Sequence, residues 1–272
     1  MVIPTFTDRR KKGTELHYDK TDSVWETIAF GTYPFTRSIN HRRLTLSFED
    51  KDGIMHYKRG LDGRTFEANI AASNKEYGVH PAGPNHLPAP VTDYLQIRFD
   101  EIELEPGCKT VLFVTAPLEI AITLNAPNNE VKILDVFSFA RTKFALYGTA
   151  TRGVIVRDTR SKVSAKPLPV KNYKEFLLRL NIENKSDSWV SLGRVILYLK
   201  GLSLYYDSTS VAACADVFIT NPNTAQVSCT DLPLRKDMVK AEPVFTDRKT
   251  TAFCNIKNGQ NDLTFVMDMG LR

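Results

Sequence analysis

Residues 174–207 contain three apolar runs separated by short polar interruptions. The runs are rich in Val, Ile, Leu, Tyr and Phe, and the interruptions are residues 184–187 (NKSD) and 200–201 (KG). Apolar runs bounded by turn residues are typical of consecutive β-strands. Similar runs recur along the chain, and we find no long amphipathic helix pattern. The sequence therefore predicts an all-β protein, a β-sandwich of mainly antiparallel strands that are divided between two sandwich lobes.

The chain of 272 residues is long enough for two sandwich lobes. Residues 125–129 (NAPNN) are a strong interruption of the strand pattern and mark the predicted boundary between the lobes. We expect a basic N-terminal arm at residues 1–22, a first lobe at residues 23–127 and a second lobe at residues 128–272.

Two kinds of connection are recognisable between the predicted strands. Asp52-Gly53 and Asp62-Gly63 predict tight hairpin turns, because Asp and Gly tolerate the positive φ that such turns require. Residues 74–90 are rich in Pro and Gly, which predicts a long surface loop of the kind that often carries function.

The cysteines indicate free thiols. The chain has four, at positions 108, 214, 229 and 254. They are too few and too scattered for a disulfide framework, and none forms a CxxC pair. Cys214 and Cys229 flank a predicted hairpin, and pairing of residues 220 and 225 would place them diagonally on one face. We expect free, buried cysteines there.

No segment of the sequence has the length of a membrane-spanning helix. The longest apolar stretch, residues 195–206, contains Lys200, and a spanning helix needs about twenty apolar residues. The first residues, MVIPTFTDRRKKGTE, lack the apolar segment of a secretory signal. We therefore expect a soluble, cytoplasmic protein.

The net charge of +5 is unevenly distributed. Residues 141–179 contain ten Lys or Arg against two acids, whereas residues 93–105 contain five acids against one base. In one interpretation the two stretches face each other within the fold or across a dimer. In the other, the basic stretch binds an anionic ligand, a lipid headgroup or nucleic acid. The candidate ligand-binding residues are Arg141, Lys143, Tyr147, Arg157, Arg160 and Lys162.

The alternation of side chains along a strand predicts which of these residues share a face of the sheet. Residues two apart share a face, so Arg141, Lys143 and Tyr147 would line one surface of the sheet. A solvated polar sheet face is the alternative interpretation. Glu119 alternates with apolar neighbours, and we expect its inward carboxylate to pair with an Arg or Lys of the basic stretch.

Motifs for catalysis are absent from the sequence. We find no GxSxG elbow, no phosphate-binding loop and no dinucleotide fingerprint. His80 and His86 are candidate metal ligands, but no acid or cysteine stands at a fixed spacing from them, which favours packed or solvated histidines. We expect no cofactor, no catalytic residue and a non-enzymatic binding or regulatory function. The alternatives are a metal-dependent hydrolase centred on His80 and His86, and a nucleic-acid binder that uses residues 141–166.

Several segments together resemble an uncharacterised archaeal domain family. They are residues 88–94 (PAPVTDY), 116–120 (APLEI), 142–148 (TKFALYG), 153–157 (GVIVR), 181–184 (NIEN) and 195–200 (VILYLK). The resemblance extends over residues 88–207, and its most specific element is 142–148.

The resemblance implies an all-β domain of unknown function, some of whose members are associated with small-conductance mechanosensitive channels. It implies no catalytic residues. We expect the partner to be a membrane protein or an anionic ligand rather than nucleic acid, and exposed sheet edges also favour a homo-oligomer.

Overall fold

The computed structural model describes residues 28–34, 39–41, 44–71, 76–87, 91–125, 131–171, 173–243 and 264–269. Within these ranges there is no α-helix, and the single helical turn is a 3-10 turn at Leu199–Gly201. The predicted all-β fold is confirmed. None of the described segments forms a helix that could cross a lipid bilayer. The predicted arm at residues 1–22 lies outside the described residues.

The first ten strands are β1 (Gly31–Pro34), β2 (Ile39–His41), β3 (Leu44–Lys51), β4 (Ile54–Leu61), β5 (Arg64–Ile70), β6 (Glu76–Ala82), β7 (Tyr94–Leu104), β8 (Lys109–Pro117), β9 (Glu119–Asn125) and β10 (Val131–Phe137). The others in the described ranges are β11 (Phe144–Tyr147), β12 (Val154–Arg160), β13 (Glu175–Asn184), β14 (Val190–Tyr198), β15 (Tyr205–Tyr206), β16 (Val211–Asn221), β17 (Thr224–Thr230), β18 (Val239–Lys240) and β19 (Thr264–Asp268).

The strands form two sandwiches. In the first, the sheet β1-β6-β9-β10 packs on the sheet β2-β3-β4-β5 around one apolar core. In the second, the sheet β11-β12-β7-β14 packs on the sheet β18-β15-β16-β13-β8, which β17 and β19 extend from β16. Most pairs are antiparallel, as predicted, although β12 pairs with β7 and β13 with β16 in parallel.

The chain crosses between the sandwiches more than once. β7 and β8 belong to the second sandwich, and β9, which follows β8 after Leu118 alone, returns to the first. After β10 the chain enters the second sandwich again at β11. The packing therefore does not follow a division at residues 127 and 128, because β7 and β8 precede that point and β10 follows it.

The two hairpin turns form as predicted. Asp52 and Gly53 have φ of 54° and 81°, and Asp62 and Gly63 have φ of 51° and 77°. Two successive positive φ values match the right-handed twist of the flanking strands. Asp50 adds a hydrogen bond, since its Oδ1 accepts from the Gly53 N–H at 3.0 Å. The turns fix the register of β3, β4 and β5.

The prediction of a long loop at residues 74–90 is wrong for its first half. Residues 76–82 form β6, which lies between β1 and β9 in its sheet. Pro81 is tolerated because β1 pairs with β6 only as far as Val79, so the proline lies where the strand has a partner on one side only. Gly78 is required by packing, since an added Cβ would collide with the His80 imidazole.

The predicted relation between Cys214 and Cys229 is also wrong. Cys214 pairs with Thr230, and Cys229 pairs with Ala215, because the register of β16 and β17 shifts by one residue between Ile219 and Asn221. A shift of one residue moves a side chain to the other face of the strand. Both thiols are free, as is that of Cys108, and Cys254 lies outside the described residues.

Candidate functional site

A pocket of about 370 Å³ lies at the junction of the two sandwiches. Its walls come from the loop between β10 and β11, the end of β8, the C-terminal part of β12 and the start of β13. Sites for small molecules commonly have volumes of about 300–1,000 Å³ and lie at such junctions. Apolar lining is supplied by Pro84, Leu95, Ala116, Pro117, Phe139 and Ala140.

The charged lining of the pocket is mainly basic. Five cationic side chains face two carboxylates: Arg141, Lys143, Arg157, Arg160 and Lys174 against Asp158 and Glu175. Four of the six residues predicted to bind a ligand are therefore brought together here. The fifth cation, Lys174, belongs to the basic stretch, but nothing in the sequence distinguishes it from the other lysines there.

The other two predicted residues lie elsewhere. Tyr147 is buried, and its hydroxyl donates a hydrogen bond to the Asp268 carbonyl oxygen at 2.7 Å, which joins β11 to β19. Burial is the largest cause that raises the pKa of Tyr147 to about 12. Lys162 is exposed and follows β12 in an irregular segment outside the pocket lining. Tyr147 therefore has a structural role.

Arg157 is the buried cation of the pocket. Only 2% of its surface is exposed, and Nη1 donates a hydrogen bond to the main-chain carbonyl oxygen of Leu87. Its Cζ lies 5.3 Å from the centre of the Phe144 ring, a distance typical of a cation–π contact. The guanidinium is thus fixed in position and largely removed from water at the wall of the pocket.

The segment that holds Arg157 is itself held by Glu119. The Glu119 carboxylate is 1% exposed and accepts hydrogen bonds from the main-chain N–H of His86 at 2.9 Å and of Leu87 at 3.0 Å. His86 Nδ1 lies 2.8 Å from the same carboxylate. The inward position of Glu119 agrees with the sequence analysis, but its partner is His86 rather than an Arg or Lys.

The carboxylates near the pocket are already engaged. Asp158 accepts hydrogen bonds from Arg98 Nε at 2.8 Å and from Gln96 at 2.9 Å. Glu175 lies 3.8 Å from Lys174. Asp158 is therefore paired with Arg98 outside the pocket lining and Glu175 with Lys174, whereas no described carboxylate forms an ion pair with Arg141 or Lys143.

The cations differ in how they are paired. Arg160 donates to Asp100 at 2.8 Å, although both side chains are largely exposed, so this pair contributes little. This pair joins the basic stretch to the acidic stretch, as one of the two interpretations of the charge distribution predicts. Arg141 and Lys143 are exposed, and neither forms an ion pair with another described residue. They are therefore open to an external anion.

The histidines do not assemble a metal centre within the described residues. His80 lies on β6 and is buried, and burial lowers its pKa. His86 is engaged with Glu119. In the described part of the chain, no group of three or more His, Cys, Asp or Glu is placed to hold a metal ion. The alternative hydrolase site thus has no third ligand in that part of the chain.

Comparison with known proteins identifies a family but no characterised relative. A search of the curated proteins found no match, and a search of the solved structures found none. The family model described as "Protein of unknown function (DUF432)" matches residues 24–268. This match extends well beyond residues 88–207, the range over which the sequence resembles a domain family of unknown function. It confirms that the chain belongs to such a family. The chain therefore belongs to the DUF432 family of proteins of unknown function.

Proposed function

We propose that this protein binds an anionic ligand in the pocket at the junction of its two sandwiches. The observation that carries this function is the position of Arg157, a guanidinium that is 2% exposed and lines a basic pocket. An anion in the pocket would meet a guanidinium that is shielded from water, where electrostatic attraction is stronger than at an exposed surface. A planar guanidinium also matches the geometry of carboxylate and phosphate oxygens.

The remaining cations support the same function. Arg141 and Lys143 extend from the loop that follows β10, and neither is neutralised by an ion pair with a described residue. Lys174, which immediately precedes β13, adds a further cation 3.8 Å from Glu175. Because these side chains come from separate segments, a single anion would contact both the second sandwich and the loop that connects it to β10 of the first. Ligand binding would then fix this connection between the sandwiches, which is the basis for a regulatory role.

A small ligand fits these observations better than nucleic acid does. Recognition of nucleic acid relies on a surface along which cations follow the phosphate backbone. Here five cations line a pocket of about 370 Å³, whereas Lys162 lies outside it. We propose a non-enzymatic function because none of the described residues that line the pocket is recognisable as a nucleophile with an adjacent base. A cytoplasmic location stays a prediction from the sequence.

Calorimetric titration of the full chain with phosphate and pyrophosphate at low salt tests the function. We expect saturable binding to the unaltered protein, and Lys143→Glu should weaken it by about tenfold or more, since it replaces attraction by repulsion. The matched control is Lys162→Glu, which makes the same charge change in the same basic stretch but outside the pocket and should preserve affinity.

Two results would overturn the proposed function. One is no saturable binding of either anion. The other is an equal loss of affinity in Lys143→Glu and Lys162→Glu, which would indicate attraction to the general positive charge of the surface. Tight binding of DNA or RNA that both variants weaken equally would support the nucleic-acid alternative instead.

A further inference from the structure

Next to the basic pocket, the hairpin of β11 and β12 exposes an apolar surface, here named the apolar shelf. It consists of Phe144, Leu146 and Ile155, whose exposed fractions are 40%, 51% and 46%. Isolated exposed apolar side chains are common in soluble proteins, whereas contiguous ones often indicate a binding surface. The informative feature is therefore that these three exposed side chains are neighbours.

Strand pairing places the shelf on one face together with the pocket. Leu146 pairs with Ile155, and Phe144 pairs with Arg157. Residues directly opposite in an antiparallel pair project to the same side, as do residues two apart on one strand. The three shelf residues therefore share a face with Arg157, which lines the pocket. The contact between Arg157 and the Phe144 ring joins the two surfaces.

The shelf lies at the edge of its sheet. Among the strands that the structure describes, the order β11-β12-β7-β14 leaves β11 without a neighbour on its outer side. The Leu146 side chain packs directly over Gly153, because an added Cβ there would lie 2.6 Å from Leu146 Cδ1. The apolar surface thus continues from the rim of the pocket to the turn of the hairpin.

We propose, on the basis of the anion-binding function proposed above, that the ligand is an amphiphile. Its carboxylate or phosphate head lies in the pocket with Arg157, Arg141 and Lys143, and its unbranched apolar chain lies along the apolar shelf. This occupant satisfies both surfaces at once: the head neutralises the cations, and the chain covers the exposed apolar side chains.

A second copy of the chain fits the same edge less well. Pairing of β11 with β11 of another molecule would extend the sheet and set the shelf side chains of the two copies side by side, but it would leave their outward surface open to water. It would also leave Arg141 and Lys143 without an anion. An amphiphile covers the shelf and neutralises these cations, so charge complementarity favours it over the homodimer.

Calorimetric titration with inorganic phosphate, butyl phosphate and octyl phosphate, each below its micelle concentration, tests this inference. We expect affinity to rise by about two- to fourfold for each methylene that covers the shelf. Leu146→Ser should remove most of this increase and leave the affinity for inorganic phosphate unchanged. The matched control is Leu232→Ser, since Leu232 is a leucine of similar exposure outside the shelf.

The outcomes separate this inference from the function on which it depends. Equal affinities for phosphate and octyl phosphate would overturn the amphiphile and leave anion binding intact. Octyl phosphate binding that is insensitive to Lys143→Glu would overturn the anionic head. Binding to vesicles of anionic phospholipid without binding to monomeric octyl phosphate would also overturn the inference, because a head seated in the pocket requires no membrane surface. A chain-length dependence lost in Leu146→Ser alone would support it.

Discussion

Arg157, on β12 of the second sandwich, donates a hydrogen bond through Nη1 to the main-chain carbonyl oxygen of Leu87, which follows β6 of the first sandwich. The same carbonyl accepts a hydrogen bond from Thr142 Oγ1 at 3.3 Å. The Leu87 N–H in turn donates to Glu119 on β9. One residue therefore links the buried cation of the pocket to the buried carboxylate of the neighbouring sandwich.

Arg157→Lys should destabilise the protein although it preserves the positive charge. A lysine lacks the planar fork that reaches the Leu87 carbonyl, so a buried hydrogen bond to a charged group is lost. We expect the free energy of unfolding to fall by about 1–3 kcal/mol in denaturant titrations. Arg64→Lys, at an exposed position on β5, is the control and should show no change. Equal stability of both variants would contradict this role of Arg157.

Glu119→Gln should be among the more damaging single substitutions. The carboxylate accepts from two main-chain N–H groups and contacts His86, and an amide cannot accept at both of its ends. We expect a loss of about 2–4 kcal/mol in the free energy of unfolding. Glu67→Gln, whose side chain is exposed on β5, serves as the control and should remain as stable as the parent. A Glu119→Gln protein of parental stability would show that the contacts contribute nothing.

Gly78→Ala tests the position of β6. A Cβ at this residue would collide with His80 and Thr123, so the strand or the imidazole must move. Overpacking of this kind costs about 1–3 kcal/mol. At Gly83 an added Cβ meets Leu202 at 3.4 Å, so Gly83→Ala should be tolerated far better. If residues 74–90 formed an exposed loop, both substitutions would be harmless.

The fold was predictable where local sequence decides the structure. Asp-Gly turns specify the hairpins of β3, β4 and β5, and apolar alternation identifies most other strands. β6 was missed because its Pro and Gly suggest a loop, and only pairing with β1 and β9 makes it a strand. The return of β9 to the first sandwich likewise depends on pairing between distant residues, which no local pattern contains.

The candidate site was predictable to the extent that charge clusters in the sequence. All five cations that line the pocket belong to the basic stretch, and four of them were predicted to bind a ligand. Strand alternation alone cannot say which side of β11 faces the core. Tyr147 was placed with the cations, but its side chain packs inward because β19, about 121 residues later, accepts its hydrogen bond. The contacts of Leu87 with Arg157 and Glu119 could not be predicted, because only the folded chain brings these three residues together.

High pH should affect stability through Tyr147. Its pKa is raised from the ordinary 10.0 to about 12, so between these values the folded protein retains a proton that the unfolded chain releases. The corresponding stabilisation is complete below about pH 10 and is lost as the pH rises toward about 12. Denaturant titrations across this range should show a smaller decline in Tyr147→Phe than in the parent. An identical decline would place the pH dependence in other tyrosines.

The proposed function requires that an anion binds against Arg157 in the pocket. Anomalous diffraction from crystals of the full chain soaked in selenate, an oxyanion that scatters anomalously, tests it most directly. We predict an anomalous peak within hydrogen-bonding distance of the Arg157 guanidinium and near Lys143 or Arg141. A peak beside surface lysines such as Lys162, with none in the pocket at saturating selenate, would contradict the claim.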